Sequence, residues 1–109
     1  MRNFFLSLLV FFVGVGVKAQ NVPENISSRI AQKMKDSLSL SEVQKTSIYT
    51  INMDIHNRKA VVWQQAETDS VGVGLQRIEN TRDSLYRPIL TDEQYILYKN
   101  KKKNLISAN

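Results

Sequence analysis

The chain is poor in the residues that most chemistry needs. It has no cysteine and a single histidine among 109 residues, with only four glycines and two prolines. Without cysteine there is no disulfide, no thiolate nucleophile, no zinc–thiolate site and no lipid-modified cysteine. One imidazole, His56, cannot build a site that needs several nitrogen, sulfur or carboxylate ligands together. Its neighbours one helical turn away are Asn52, Met53, Lys59 and Ala60, none of them a carboxylate that would orient the ring. No glycine-rich phosphate loop is present. The sequence predicts no enzyme, no bound metal and no cofactor. The paired acids Asp92 and Glu93 read as partners of a helix dipole, not as an acid–base couple.

Long apolar runs are also scarce. The one that stands out, Phe4 to Val17, is short of the ~20 residues a membrane-spanning helix needs. It follows Arg2 and precedes Val17-Lys18-Ala19, the layout of a signal peptide with a small-residue cleavage site. Residues 1–19 are expected to be removed on export, leaving residues 20–109 with no stable membrane anchor. Arg2 and Lys18 leave with them, so the net charge falls from +5 to +3, and all four phenylalanines go. A cationic patch on an exported domain gives no reason to expect nucleic acid, and the lysines at 99 and 101–103 suit the negative end of a helix. A domain this small buries only about two-thirds of its surface, so self-association would help it.

What remains reads as helix. Gln20 to Asn25 is a polar lead-in, after which Ile26, Ile30, Met34 and Leu38 recur at every fourth position. From Ser41 to about Glu67 no glycine or proline intervenes. Ile48, Ile51, Ile55 and Val62 form a seam there, extended by Ala66 and interrupted by Arg58, and Tyr49, Met53, Ala60 and Trp63 make a second row. A rod of that length, roughly 39 Å, outruns the ~31 Å diameter of a compact domain, so the molecule is expected to be elongated or covered by a second copy. Thr68 to Gly74 reads as the connection to an antiparallel neighbour carrying Val71, Leu75, Ile78, Leu85 and Ile89, with Arg82 in the gap. Pro88 ends that helix. A last helix carries Tyr95, Tyr98, Leu105 and Ile106. The fold class is all-α, an elongated helical hairpin or bundle of about four helices.

Two stretches punctuate this pattern, Leu40-Ser41-Glu42-Val43-Gln44 and Leu90-Thr91-Asp92-Glu93-Gln94. Each places a hydroxyl residue three positions before a glutamine. This is a capping box: the hydroxyl accepts from the backbone N–H three residues on, and the glutamine amide reaches back to the cap N–H. The pair resembles the doubled L-T-x-x-Q signature of the Spy/CpxP family of small periplasmic proteins. Leu90, Thr91 and Gln94 match it, while Leu40, Ser41 and Gln44 depart from it only in having serine at the cap. The resemblance implies a curved, cradle-like antiparallel dimer. It also implies an ATP-independent periplasmic chaperone that binds unfolded or aggregation-prone clients under envelope stress. An alternative within the same family is a regulator docked on the sensor domain of a membrane histidine kinase, and a metal-binding sensor is a weaker one.

The residues themselves nominate a surface for such a role. Arg58 and Arg82 each interrupt an apolar seam. Either their stems pack and their guanidinium groups reach water, or cations and aliphatic groups share one open surface. Met53, Ile55, Arg58, Lys59, Trp63 and Arg82 are the candidate client-binding residues on the second reading.

Overall fold

The structure, a computed structural model, describes residues 22–65 and 68–107. The signal-peptide expectation for residues 1–19, and the placing of Ala66 on the seam, lie outside the described residues. The described chain is all-α: α1 (Pro23–Leu38), α2 (Glu42–Gln65), α3 (Thr68–Tyr86) and α4 (Asp92–Leu105). No strand occurs among the described residues.

Helix α1 starts inside the expected lead-in. Pro23 takes the first helical position, where its missing N–H costs nothing and its fixed φ suits the helix. The Ile30, Met34 and Leu38 stripe is buried as the four-residue period required. The helix ends on Ser39, which adopts a left-handed conformation, and the Ser39 and Leu40 N–H groups both return to the Lys35 carbonyl.

Two departures concern α2 and α3. The expected connection at Thr68–Gly74 is helical, because α3 begins at Thr68. Threonine, aspartate and serine are residue types that the first turn of a helix favours, so the polar run opens the helix instead of breaking it. Gly74 has a packing reason to be glycine: a Cβ there would meet Val62 Cγ1 at 3.0 Å, so it lets α3 approach α2 closely. The second departure is Arg58. The buried face of α2 runs through Ile48, Asn52 and Ile55, and Arg58 points away from it, pairing with Asp54 at 2.9 Å on the surface.

The four helices meet at the end of the molecule that holds the two short connections. Their shared core contains Ile30, Met34, Leu38, Leu40, Ile48, Tyr86, Leu90, Tyr98 and Leu105. The Tyr86 and Tyr98 rings pack edge to face with centroids 5.0 Å apart. Past Ile55, none of the α2 side chains described is fully buried, and α2 continues alongside α3 as a two-helix arm.

The core is duplicated. Leu40, Ile48 and Ile55 are buried in one half, and Leu90, Tyr98 and Leu105, fifty residues later, are buried in the other. On α1 and α3 the offset is forty-eight: Ile30, Met34 and Leu38 correspond to Ile78, Arg82 and Tyr86, all six buried. The connection after Tyr86 is longer than the one after Leu38 by the missing two residues and includes Pro88. The chain is thus two helix–box–helix units facing each other, a repeat visible in the sequence only as its two five-residue boxes.

Candidate functional site

Both capping boxes form. Ser41 Oγ accepts from Gln44 N–H at 3.1 Å while Gln44 Oε1 accepts from Ser41 N–H at 2.9 Å. Thr91 and Gln94 repeat this at 3.1 and 2.9 Å. In each box the glutamine oxygen serves the local cap and its NH2 group is left over. Those NH2 groups cross between the halves. Gln44 Nε2 donates to Gln94 Oε1 at 2.7 Å and to the Ile89 carbonyl at 3.0 Å. Gln94 Nε2 donates to the Leu38 and Ser39 carbonyls at 3.3 and 3.5 Å. Each glutamine therefore caps its own helix and ties down the chain entering the other one. Glutamate would serve the local cap equally well. It would supply no donor for the crossing bonds, however, and two carboxylates would then face each other. Leu40 and Leu90 are both buried directly behind this junction.

A polar network lies between the junction and the arm. Asn52, buried on α2, donates from Nδ2 to the Ser27 carbonyl of α1 at 3.0 Å. Its Oδ1 accepts from Arg82 Nη1 at 3.2 Å and from the Tyr86 hydroxyl, both on α3. Arg82 Nη1 also donates to the Tyr86 oxygen at 2.9 Å, and Arg82 Nε donates to Glu79 at 3.0 Å. Glu79 is shared with Lys59 at 2.6 Å and Lys102 at 3.6 Å. Asp83 receives Tyr98, Lys99 and Lys102 from α4 at 2.7 to 2.8 Å. All four helices contribute, and no buried side-chain nitrogen or oxygen described here lacks a partner.

The electrostatics follow from that geometry. Burial alone would raise the Glu79 carboxyl, but Lys59 and Arg82 outweigh it and hold it below its ordinary value. Asp83 is likewise held low, because hydrogen bonds from Lys102, Lys99 and Tyr98 outweigh its burial. Burial pushes the Tyr86 hydroxyl up to about 12 even though Arg82 opposes it. Burial and the hydrogen bond to Asp83 raise Tyr98 as well. None of these groups is poised to exchange a proton near neutrality. The arrangement is structural, and among the described residues no cluster of three or more histidine or acidic groups is placed to hold a metal.

The six nominated surface residues separate. Arg82, 4% exposed, and Ile55 are interior, so the open-surface reading is corrected for both. Arg82 can be interior because Glu79, Asn52 and Tyr86 satisfy its guanidinium, a constellation that single-helix periodicity does not reveal. Met53 and Lys59 are half-buried, and Lys59 is committed to Glu79. Arg58 and Trp63 are exposed on the arm. Besides Trp63 at 64%, the arm exposes Val61 and Val73 at 49% and 61%, and the capped end exposes Val43 and Ile96 at 78% and 60%, none of which had been nominated. Val73, Gln76, Arg77 and Asn80 line an open depression on the outer side of α3.

Compared with protein-family models, with curated proteins and with solved structures, the chain matches none of them. Among the described residues no helix is long and apolar enough to cross a membrane.

Proposed function

We propose that this protein is an exported, ATP-independent holdase-type chaperone that binds unfolded segments loosely along its two-helix arm. One observation carries the reading. The arm leaves Val61, Trp63 and Val73 in water and also carries the exposed Arg58 and Arg77. Exposed apolar groups catch the side chains that a misfolding protein releases, and cations among them favour acidic segments. The doubled capping box, with its resemblance to the Spy/CpxP family, supports the same role in the periplasm. The cradle-like dimer that the resemblance implies belongs to this proposal.

The test is an aggregation assay with an unrelated unfolding protein and no nucleotide. Suppression at near-stoichiometric ratio is expected, and the double variant W63S/V73S should lose most of it while keeping its helix content. No suppression by the wild type would remove the chaperone reading. Tight binding to a single sensor domain without client protection would replace it with the regulator.

A further inference from the structure

The duplication creates a pairing problem. Two units with the same cap, crossing glutamines and buried positions can in principle face each other within one chain, or like can face like between two chains. The junction does not discriminate, since Gln44 and Gln94 make reciprocal contacts through equivalent atoms. The pairs Ile30 and Ile78, Leu40 and Leu90, and Ile55 and Leu105 do not discriminate either, being apolar in both units. The two halves differ in polarity at other buried positions. Met34 of one half corresponds to Arg82 of the other, Leu38 to Tyr86, Ala31 to Glu79, Ser27 to Leu75, and Asn52 to the half-buried Lys102. The three polar residues on the discriminating side, Asn52, Arg82 and Tyr86, bond to one another across the α2–α3 contact, and Lys102 closes the same network through Glu79.

We infer that the Asn52–Arg82–Tyr86 cluster is a pairing key that makes the first helix–box–helix unit choose the second unit and reject a copy of itself. In a like-with-like pairing of two first units, Asn52 Oδ1 would face Met34 and Leu38 and lose both donors. In a pairing of two second units, Lys102 would stand where Asn52 stands now, so Arg82 would keep Glu79 and Tyr86 on its own helix but face a cation in place of an amide oxygen. One wrong pairing strips Asn52 of its Arg82 and Tyr86 donors and the other sets Arg82 against a second cation, whereas the observed pairing matches every buried polar group described. A buried polar contact that selects register and partner at some cost in stability is the best attested use of such groups.

The test is the full chain carrying N52L, R82M and Y86F together, which leaves no member of the cluster unpaired. Glu79 keeps Lys59 and Lys102 in this variant. Circular dichroism, amide NMR and sedimentation over a concentration series are compared with the wild type. Expected are unchanged helix content, a melting temperature no lower than wild type, at least a doubling of the amide signals from core residues, and a mass distribution that shifts with concentration. A single set of amide signals with wild-type sedimentation would overturn the inference. Loss of the fold would also overturn it, because the cluster would then be supplying stability and not selection. The inference does not depend on the chaperone reading, since no client enters the experiment.

Discussion

The two ends of this molecule are built from the same helices to opposite effect. At the capped end four helices meet, and Met34, Ile48, Tyr86 and Tyr98 are fully enclosed. At the arm only α2 and α3 remain, and Val61, Trp63 and Val73 are left in water. Exposure is not confined to the arm, since Val43 and Ile96 near the starts of α2 and α4 are 78% and 60% exposed; what the arm lacks is a residue as fully enclosed as those four. Past Ile55 the α2 seam is interrupted by Arg58 and resumes at the half-buried Val62, while the exposed Val61 and Trp63 flank it on either side.

Variants can sharpen or break that contrast. The largest effect belongs at the capped end: Met34→Ala should cost about 2–5 kcal/mol, measured by denaturant unfolding. A loss under 1 kcal/mol would mean that this end is less tightly packed than its burial indicates. Next comes the junction. Gln94→Glu keeps the local cap but removes the donors to Leu38 and Ser39 and should cost about 1–3 kcal/mol. Thr91→Ala removes only the cap acceptor and should cost about 0.5–2 kcal/mol. If Gln94→Glu melts with the wild type while Thr91→Ala does not, the crossing bonds contribute nothing beyond capping.

A pH-dependent effect follows from Glu79 and Asp83. Both are held below their ordinary values in the folded chain, so the unfolded chain takes up protons first as the pH falls. Their contribution is complete above the ordinary carboxylate range and is lost progressively below it. Melting temperature should drop between about pH 5 and pH 3, and Glu79→Gln should start lower and drop less. A parallel pH profile for that variant would take Glu79 out of the linkage. The smallest effect belongs to the arm: Trp63→Ser should change stability by no more than about 0.5 kcal/mol, because the indole is already in water. A loss as large as that of Met34→Ala would mean that the arm is covered in solution and the contrast is false.

Much of this architecture was readable from pattern. The every-fourth spacing of Ile30, Met34 and Leu38 located α1 and its buried stripe. Pro88 marked the end of α3, and Ser41 with Gln44 and Thr91 with Gln94 marked two helix starts. The reading failed where a local preference competed with a neighbour. Gly72 and Gly74 read as a turn, but at Gly74 the missing side chain serves the approach of α2. Arg58 and Arg82 looked alike in sequence, each a cation interrupting a seam. One lies on the surface with Asp54 and the other is buried with three partners, two of them on its own helix.

The sequence by itself determined that the described chain is helical, where α2 and α4 begin, and which glutamine caps which start, because capping and amphipathic period act within a few residues. Only the tertiary structure decided that the two boxes meet, that Arg82 is interior, and that Trp63 is not. Those outcomes depend on what other helices bring to the same place. Crossing hydrogen bonds between residues fifty positions apart and the satisfaction of a buried guanidinium by α2 leave no trace in local spacing, since their partners are neighbours in space alone.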